Sequence, residues 1–541
     1  MATIEPTQEY SAHAPHLRKQ GSATQLVVEG RPFLVIGGEL HNSSSSSLQY
    51  MRPIWERLVA LQLNTMPAPI SWELIEPEEG VFDFGLVDGL IWEARRHDLR
   101  LILLWFGSWK NGMSSYVPVW VKRDYHRFPR VKLRDGKTVE VLSALAEENW
   151  QADARAFAAL MRHIREVDGD ANTVIMMQVE NEVGVLGDSR DRSDAASSAF
   201  AGPVPRELLD QLQEHHQELG AEVRGRWESS GFAAAGTWEE VFGTGPETDE
   251  IFMAWNYARY IDKVAAAGKA EYPLPMFVNA WLSSLEQKPG DWPSGGHLPH
   301  TLDIWLAGAS HIDLLAPDIY QADFQGWCKQ YTRRGNPLFI PEMRRNEDGA
   351  RNVFYAVGEH DAIGTSPFAI DSITQVGVGG AALFGSDPIQ RPEEAPVSRS
   401  YAVLGQLAPL ILEHQGKGEM TGFLLDEEHP SITRDLGGYE LEISLDQIFG
   451  YKAERGYGII VASGPDAFIG AGYGFRVTFR PKTHGPTLAG IGTVDEGRYL
   501  NGKWIPGRRL NGDETAQGHH WRFPATDGGV AIERCTVYRY E

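Results

Sequence analysis

The feature that most constrains the fold is a regular alternation of short apolar runs with stretches of helical spacing. Eight apolar runs, each predicted to be a buried strand, lie at residues 31–42, 64–71, 100–106, 172–180, 273–281, 311–320, 336–343 and 377–385. Most are followed by apolar residues at helical spacing, as in Ile54, Leu58 and Leu61. This order predicts an α/β fold, specifically a (β/α)8 TIM barrel.

An open, doubly wound sheet is the alternative for such a sequence. That fold usually carries a glycine-rich, phosphate-binding turn after its first strand. Here the first predicted strand leads into GGELHNSSSSS, residues 37–47, which does not match such a turn. A second glycine-rich stretch, residues 470–474, lies in β-type sequence and is more typical of a hairpin. The barrel is therefore favoured, and no cofactor is expected.

The sequence changes character after about residue 415, where alternating segments are separated by frequent turns. Asn-Gly pairs at 501–502 and 511–512 are strong signals for hairpin turns. We predict three parts, namely an N-terminal extension (1–24), the barrel (25–415) and a smaller all-β C-terminal domain (416–541). No long linker precedes the last part, so we expect it to pack on the barrel in a structural role. Four charged residues near its second Asn-Gly pair are expected to pair locally: Arg508, Arg509, Asp513 and Glu514.

Composition excludes several classes of partner. The chain has 541 residues, with 50 Lys and Arg against 73 Asp and Glu, so its net charge of −23 should repel nucleic acid and anionic membranes. Cys328 and Cys535 form neither a disulfide framework nor a zinc-ligand spacing. The first residues lack a secretory pattern, and no apolar run reaches the roughly 20 residues of a membrane helix. A cytoplasmic chain without a bound metal is expected, and a homo-oligomer remains open.

Two glutamates are best placed for chemistry, because barrel enzymes carry catalytic groups at the C-terminal ends of their strands. Glu182 ends the fourth predicted strand, in MMQVENEVG (176–184), and Glu342 ends the seventh. Across the barrel mouth they could face each other. Two carboxyl groups, one protonated and one ionised, are what glycoside hydrolysis requires.

A third glutamate, Glu180, complicates this assignment. Side chains of a strand alternate with period two, so Glu180 and Glu182 should point to the same face. Alternation therefore does not separate them, but Glu182 lies nearer the mouth. We interpret Glu180 as a structural carboxylate one layer down, paired or hydrogen-bonded in the barrel interior.

Three segments resemble the clan A retaining β-galactosidases of glycoside hydrolase family 35. They are GGELH (37–41), NTMPAPISWELIEPEEGVFDF (64–84) and QVENEVG (178–184). The resemblance covers roughly residues 25–415, and residues 496–514 are similar to the β-rich domain appended in a bacterial subgroup. It implies that Glu182 is the acid/base, that Asn181 contacts the sugar 2-hydroxyl and that Glu342 is the nucleophile.

The sequence departs from the family pattern at two points. A tyrosine usual in the second-strand motif is replaced within Ala68-Pro69-Ile70, and a Cys-Ala-Glu-Trp-like segment is replaced by FGSWKNG, residues 106–112. Details of sugar binding do not carry over there. Three residues of the second segment are candidates to rebuild the pocket: Trp109, by stacking on a sugar ring, Lys110 and Asn111. Loop packing is the alternative for Trp109.

Other candidate substrate-binding residues end further predicted strands. Tyr320 is expected to hydrogen-bond Glu342. His41 is expected either to bind the sugar or to be a hydrogen-bonded histidine of the core. The candidates are His41, Asn279, Trp281 and Tyr320, with Phe384 and Asp387 near the end of the eighth strand.

Together these features predict a retaining, exo-acting glycoside hydrolase that removes terminal β-D-galactose from oligosaccharides or glycosides by double displacement. One alternative is the same mechanism on a β-glucoside or β-fucoside. Less favoured are a metal-dependent barrel lyase or isomerase and a catalytically inactive carbohydrate-binding barrel. The sequence shows no supported phosphate loop or Ser-His-Asp signature.

Overall fold

The computed structural model describes residues 14–284, 286–373, 391–448, 450–510, 512–525 and 529–541. The strands of its first part are β1 His16–Gln20, β2 Ala23–Val28, β3 Arg31–Phe33, β4 Val35–Ile36, β5 Thr65–Ser71, β6 Arg100–Lys110, β7 Arg130–Lys132, β8 Thr138–Leu142, β9 Val174–Asn181, β10 Met276–Trp281, β11 Leu314–Asp318, β12 Phe339–Ile340 and β13 Gly364–Thr365.

The helices alternate with these strands. They are α1 Leu48–Met51, α2 Trp55–Ala60, α3 Trp72–Ile75, α4 Gly85–Arg96, α5 Val119–Arg123, α6 Glu147–Asp168, α7 Asp194–Ala201, α8 Arg206–Glu214, α9 Ala221–Ser229, α10 Trp238–Phe242, α11 Pro246–Glu271, α12 Leu302–Gly308, α13 Phe324–Tyr331, α14 Glu347–His360 and α15 Pro396–His414. None of these described helices is both long and apolar enough to cross a bilayer.

Eight strands lie in two parallel sheets. Their orders are β11-β10-β9-β6-β5 and β12-β13-β4. Parallel bridges join the two sheets on both sides, between Gly37 and Thr65 and between Ile319 and Met343. Since all these pairings are parallel, the C-terminal ends of the eight strands meet at one end of the structure.

The eighth strand differs from the prediction. The strand between β12 and β4 is β13, which is not among the eight predicted strands. Only two residues, Gly364 and Thr365, make the ladder, so no apolar run marks it. The predicted eighth strand, residues 377–385, lies outside the residues that the structure describes, as do Phe384 and Asp387.

Alternation along β6 separates two apolar layers. Ile102, Leu104 and Phe106 share an interior cluster with Leu26 and Val28 of β2. The intervening residues of β6 belong to the larger cluster that also contains the helices: Leu101, Leu103 and Trp105. The space enclosed by the strands is therefore apolar at the end where β2 lies. Polar groups lie at the opposite end, which is the C-terminal end of the strands.

A β-rich region follows α15. Its strands are β14 Met420–Leu425, β15 Ser431–Leu436, β16 Tyr439–Leu445, β17 Gln447–Ile448, β18 Tyr451–Lys452, β19 Gly456–Gly464, β20 Ala467–Tyr473, β21 Phe475–Pro481, β22 Leu488–Leu500, β23 Lys503–Leu510, β24 Trp521–Phe523 and β25 Ala531–Tyr540. Six form one sheet, β14-β19-β20-β25-β22-β23, and four another, β15-β16-β21-β24. Apolar side chains of both sheets form a core of their own.

The hairpin β22–β23 confirms the first Asn-Gly turn. Asn501 and Gly502 have φ values of 50° and 72° between the paired residues Leu500 and Lys503. Such positive φ values are what a two-residue hairpin turn requires. At the second pair, Asn511 lies outside the described residues.

Near the second Asn-Gly pair, Arg508 and Arg509 form local ion pairs as expected, but their partners are not the predicted acids. Arg508 pairs with Glu496 at 3.0 Å, and Arg509 pairs with Asp495 at 2.8 Å, both across the β22–β23 ladder. The predicted acids, Asp513 and Glu514, are not these partners. In each pair the two residues lie directly opposite each other on adjacent strands, where cross-strand side chains of opposite charge meet.

The β-rich region packs on the α/β part through β14 and α14, as expected from the absence of a linker. Thr421 Oγ1 donates to Glu359 Oε2 at 2.9 Å across this contact. The backbones approach closely at two glycines, so that a Cβ on Gly358 would lie only 2.8 Å from Cα of Gly422. A second contact joins α15, where Gln406 Oε1 accepts from the Tyr499 N–H at 3.0 Å.

This close approach predicts that Gly358→Ala lowers the melting temperature. Alanine favours a helix over glycine by about 1 kcal/mol, but here its Cβ has no room. Gly225→Ala in α9 is the matched control, because nothing lies within 4 Å of that position. The control should leave the melting temperature unchanged or raised. Equal thermal melts for the two variants would contradict the packing argument.

Candidate active site

Four buried carboxylates gather at the C-terminal end of the parallel strands. They are Glu39 after β4, Glu182 after β9, Asp318 at the end of β11 and Glu342 after β12, with exposed fractions of 0%, 5%, 1% and 5%. One carboxylate oxygen from each of Glu182, Asp318 and Glu342 lies within 4.8 Å of the other two. The structure therefore brings together the two predicted acids, and it adds two others.

The backbone at the end of β9 decides which glutamate enters the site. Glu180 and Glu182 have φ values of 62° and 42°, in the left-handed region that strands do not use. Strict alternation therefore ends at Glu180. The expectation that both side chains share a face is wrong, because Glu182 points to Glu342 whereas Glu180 points to the end of β6.

Glu180 is held by the backbone of β6. Its carboxylate accepts from the N–H groups of Ser108 and Trp109, both at 2.9 Å. Asp153 of α6 lies beside it, and burial together with this neighbouring charge raises the pKa of Glu180 well above its ordinary value. A Cβ on Gly107 would lie 2.5 Å from Glu180 Oε1, so this position needs glycine. Glu180 is a hydrogen-bonded structural carboxylate, as interpreted, but it lies on the helix side of the strands.

Glu342 receives hydrogen bonds from two predicted residues. Tyr320 OH donates to Glu342 Oε2 at 2.8 Å, which confirms that expected contact. Asn279 Nδ2 lies 3.4 Å from Glu342 Oε1 and donates to Asp318 Oδ2 at 2.8 Å. Asn279 Oδ1 in turn accepts from the backbone N–H of Glu182 at 3.1 Å. One amide thus joins the ends of three strands.

Glu182 lies in a different environment. Asn111 Nδ2 donates to its Oε2. Burial, followed by the negative charge of Glu342, raises the pKa of Glu182 to about 7, although the nearby ammonium of Lys110 opposes the shift. Lys110 Nζ also donates to Asn181 Oδ1 at 2.8 Å. The sequence Lys110-Asn111 therefore contacts both members of the Asn181-Glu182 pair.

The structure corrects the predicted sugar-stacking role of Trp109. Its side chain is 0% exposed, and its Nε1 donates to the Leu142 carbonyl at 3.1 Å. The ring packs edge-on against Tyr257 and Tyr260 of α11, with centroid distances of 5.2 and 4.6 Å. Trp109 thus points towards the helices, as Trp105 does, because β6 extends through this segment. It is not available to stack on a ligand.

His41 and Trp281 lie nearer the surface. His41 Nε2 is 2.9 Å from Ser372 Oγ, and the ring meets Phe368 edge-on. Trp281 ends β10 with 38% of its surface exposed. An aromatic ring at this edge has the exposure that ring stacking needs, so a binding role for Trp281 remains a prediction, as it does for His41.

Glu39 and Asp318 were missed by the sequence analysis. Both carry the same signal as the predicted site residues, since each is a polar residue at the end of a predicted strand, in GGELH and in APDIY. Burial first, and then the charge of Glu342, raises the pKa of each carboxyl well above its ordinary value. A buried acid with a raised pKa beside other acids is a usual mark of a functional site.

The same group of oxygens could hold a metal ion. Hard cations take carboxylate oxygens, and Glu182, Asp318 and Glu342 each offer one. However, protein donors from Asn111, Asn279 and Tyr320 already bond to these carboxylates. The three carboxyl groups are therefore placed to exchange protons with one another as well as to bind a cation.

Comparisons with known proteins match separate parts of the chain. Residues 47–241 match the glycoside hydrolase 42 family, described as "Beta-galactosidase". Residues 397–522 match a family described as "Domain of unknown function (DUF5597)". The matched hydrolase family is 42, whereas the sequence analysis named family 35, so only the broader resemblance to β-galactosidases is common to both. Glu182 lies inside the first match, and Glu342 lies outside both.

Curated relatives are similar over a limited stretch. A beta-galactosidase of Xanthomonas manihotis is 28% identical over 172 residues, or 30% of this chain and 26% of that protein. Beta-galactosidase 8 of Oryza sativa subsp. japonica is 25% identical over 170 residues, or 30% and 23%. The chain thus matches about a quarter of the length of these relatives.

Solved structures show weaker similarity over a longer range. The cold-adapted beta-galactosidase of Rahnella sp. R3 has a TM-score of 0.48 at 16% identity, covering 71% of this chain and 57% of that one. The beta-galactosidase of Bacillus circulans sp. alkalophilus has a TM-score of 0.47 at 14% identity, with coverage of 70% and 57%.

Substitution of the two tryptophans is expected to affect stability differently. Trp109→Ala removes a buried ring and should lower the melting temperature by several degrees, because such truncations cost about 3–5 kcal/mol. Trp281→Ala, the control, removes a ring with 38% exposure and should leave the melting temperature within about a degree of the parent. Differential scanning calorimetry decides. An unchanged melting temperature for Trp109→Ala would refute the core assignment.

Proposed function

We propose that the chain is a retaining glycoside hydrolase of β-galactosidase type. The observation that carries this proposal is the close pair of buried carboxyl groups, Glu182 and Glu342, whose nearest oxygens lie within 4.8 Å. In retaining enzymes the two carboxyl groups are about 5–5.5 Å apart, whereas inverting enzymes need about 6.5–9.5 Å to admit a water. The short distance supports double displacement.

In the first step, Glu342 attacks the anomeric carbon. The hydrogen bonds from Tyr320 and Asn279 hold its carboxylate in place. Glu182 donates its proton to the glycosidic oxygen as the bond to the leaving group breaks. With a pKa of about 7, Glu182 holds this proton below neutral pH.

In the second step, Glu182 acts as the base. The ester formed on Glu342 carries no negative charge, so one cause of the raised pKa of Glu182 disappears. The carboxyl then becomes the stronger acid and stays ionised, ready to accept a proton from the attacking water. The water attacks the anomeric carbon, the ester bond breaks, and the sugar leaves with its original anomeric configuration.

Asn181 and Lys110 are proposed to position the sugar. Lys110 Nζ bonds to Asn181 Oδ1, and among the described residues no acceptor reaches Asn181 Nδ2. That amide can then donate to the sugar 2-hydroxyl, where hydrogen bonds that strengthen in the transition state contribute most. Asn111 orients Glu182, Trp281 offers an exposed ring and His41 offers a half-buried imidazole.

The β-galactoside as substrate is supported by two findings. The matched family and the curated relatives all carry the name beta-galactosidase. The resemblance to family 35 implies the same sugar. We also propose that the two parallel sheets form one closed (β/α)8 barrel, which the bridges at both edges support.

A panel of 4-nitrophenyl glycosides tests the proposal. Release of nitrophenol should be fastest from the β-D-galactoside, and proton NMR should show the β-anomer of galactose first. Faster hydrolysis of the β-glucoside or β-fucoside would change the substrate but keep the mechanism. First formation of the α-anomer would overturn the retaining mechanism, and inertness towards the whole panel would overturn the function.

The cluster of Glu182, Asp318 and Glu342 favours a second candidate, a metal-dependent lyase or isomerase. Under the hydrolase proposal, activity on the nitrophenyl galactoside should survive extensive dialysis against EDTA, because no step uses an ion. Complete loss in EDTA, restored by Mg²⁺ or Mn²⁺ and by no other addition, would favour the second candidate.

Substitution of the two acids predicts distinct kinetics. Glu182→Ala should lower kcat/KM about 10²–10⁴-fold on glycosides with poor leaving groups, and less on activated aryl glycosides. Azide should restore its turnover with an aryl glycoside, by attacking the intermediate. Glu342→Ala should lose retaining activity on every substrate.

Glu180→Gln is the control for these variants. Its carboxylate bonds to the β6 backbone, so the substitution should lower stability without azide rescue. A Glu180→Gln enzyme that azide rescues, beside a nearly unaffected Glu182→Gln enzyme, would show that the acid/base is Glu180.

The pH dependence follows from the pKa of Glu182. Because the protonated acid is required, kcat/KM should fall as pH rises through about 7. Lys110 holds this pKa down, so Lys110→Met should raise it and move the alkaline limb of the profile to higher pH. Lys110→Arg keeps the positive charge and should leave the limb nearly in place. A limb that moves to lower pH in Lys110→Met would contradict the assignment.

A further inference from the structure

Glu39 is a buried carboxylate to which no described residue donates a hydrogen bond. Its side chain is 0% exposed, and neither Oε1 nor Oε2 has a hydrogen-bonding partner among the described residues. Its backbone is fixed, since its N–H donates to the Pro367 carbonyl at 2.9 Å and its carbonyl accepts from Ile370 at 3.0 Å. Leaving a buried acceptor without a donor costs about 1–3 kcal/mol, and more for a charged group.

Other buried acids of this chain are bonded. Glu76 accepts from Trp72 Nε1 and from the Gly80 N–H, both at 2.8 Å. Asp153 accepts from Trp105 Nε1 and Ser108 Oγ, both at 2.8 Å. Native proteins satisfy nearly all such groups, and each exception needs an explanation. The lack of such hydrogen bonds at Glu39 indicates that a bound ligand supplies hydrogen-bond donors to its carboxylate.

The direction of the side chain follows from its neighbours along the chain. Leu40 belongs to the apolar cluster between strands and helices, and a Cβ on Gly38 would meet Leu63 of the same cluster. In an extended segment, the residue between two such positions points to the opposite side. Glu39 therefore points into the mouth that Glu182 and Glu342 share.

Electrostatics agrees with this direction. After burial, the groups that influence the pKa of Glu39 are Glu342, Lys110 and Glu182. Lys110 Nζ bonds to Asn181 instead of to Glu39, so the nearby cation does not satisfy the carboxyl. Asn181 Nδ2 is likewise without a described partner. An acceptor and a donor without described partners thus lie beside the reacting acids.

We propose that Glu39 binds a ring hydroxyl of the sugar that is cleaved off and makes that hydroxyl a requirement for hydrolysis. This inference rests on the proposed function, and it names a specificity-determining residue in that site. Sugar hydroxyl groups both donate and accept, so they can bond to a carboxyl in either protonation state. A site built to bond a hydroxyl rejects the analogue that lacks it far more strongly than an apolar pocket rejects an added group.

The test compares substrates and variants together. The parent, Glu39→Gln and Glu39→Ala are assayed on 4-nitrophenyl β-D-galactoside and on its 2-, 3-, 4- and 6-deoxy analogues. On the intact galactoside, Glu39→Ala should lower kcat/KM about 10- to 100-fold, the range for a hydrogen bond to a charged group. On one analogue the same substitution should have almost no effect, because the bonded hydroxyl is already missing. That analogue identifies the hydroxyl.

Glu76→Gln is the matched control, since Glu76 is equally buried but fully bonded. It should lower the melting temperature and leave the ratios of kcat/KM among the five substrates unchanged. If Glu39→Ala does not fold, the isosteric Glu39→Gln decides by the same ratios.

Two other results would overturn the proposal in distinguishable ways. An active parent, with a loss that is the same factor on all five substrates in the Glu39 variants, would show that Glu39 acts only on folding or on the charge of the site. In that case the hydrolase proposal stands and the hydroxyl contact falls. A parent inert towards all five substrates would refute the proposed function itself, and the Glu39 contact with it.

Discussion

The placement of Glu182 and Glu342 side by side out of water is the constraint on which the site depends. Two ionised carboxylates at this distance repel each other strongly where water is excluded, so one must hold a proton. The two carboxyl groups have different surroundings, and these decide which of them holds the proton. Glu342 receives hydrogen bonds from Tyr320 and Asn279, whereas burial and the charge of Glu342 keep the proton on Glu182. Under the proposed mechanism, Glu342 attacks and Glu182 donates the proton.

The scaffold keeps this pair in place through contacts between strands. Asn279 on β10 joins the backbone of Glu182, the carboxylate of Asp318 and the carboxylate of Glu342. Glu180 links the end of β9 to the end of β6 by accepting from the backbone N–H groups of Gly107, Ser108 and Trp109. Buried polar groups are costly unless bonded, and these bonds form only when the strand ends are in register. The stability of the strand ends and the geometry of the site therefore depend on the same contacts.

The β-rich region lies away from these contacts in sequence but packs on α14 and α15. Close glycine packing at Gly358 and Gly422 leaves little room for the two parts to slide. Helix α14 follows Glu342 directly in the chain. The region thus packs on the helix that begins shortly after the proposed nucleophile, and the structural role expected for it stays a prediction.

The sequence by itself determined seven of the eight parallel strands, the hairpin at Asn501-Gly502 and the positions of Glu182 and Glu342. These follow from local patterns, namely apolar runs, turn residues and acids at the ends of strands. Sequence alternation did not determine that Glu180 points to the helices, that Trp109 is core, that residues 364–365 form the strand beside β4 or that Glu39 and Asp318 join the site. The direction of a side chain at a strand end depends on φ, and the positive φ values at Glu180 and Glu182 occur together with hydrogen bonds to strands distant in sequence. Only the tertiary structure supplies those partners, and so only it decides which acids meet.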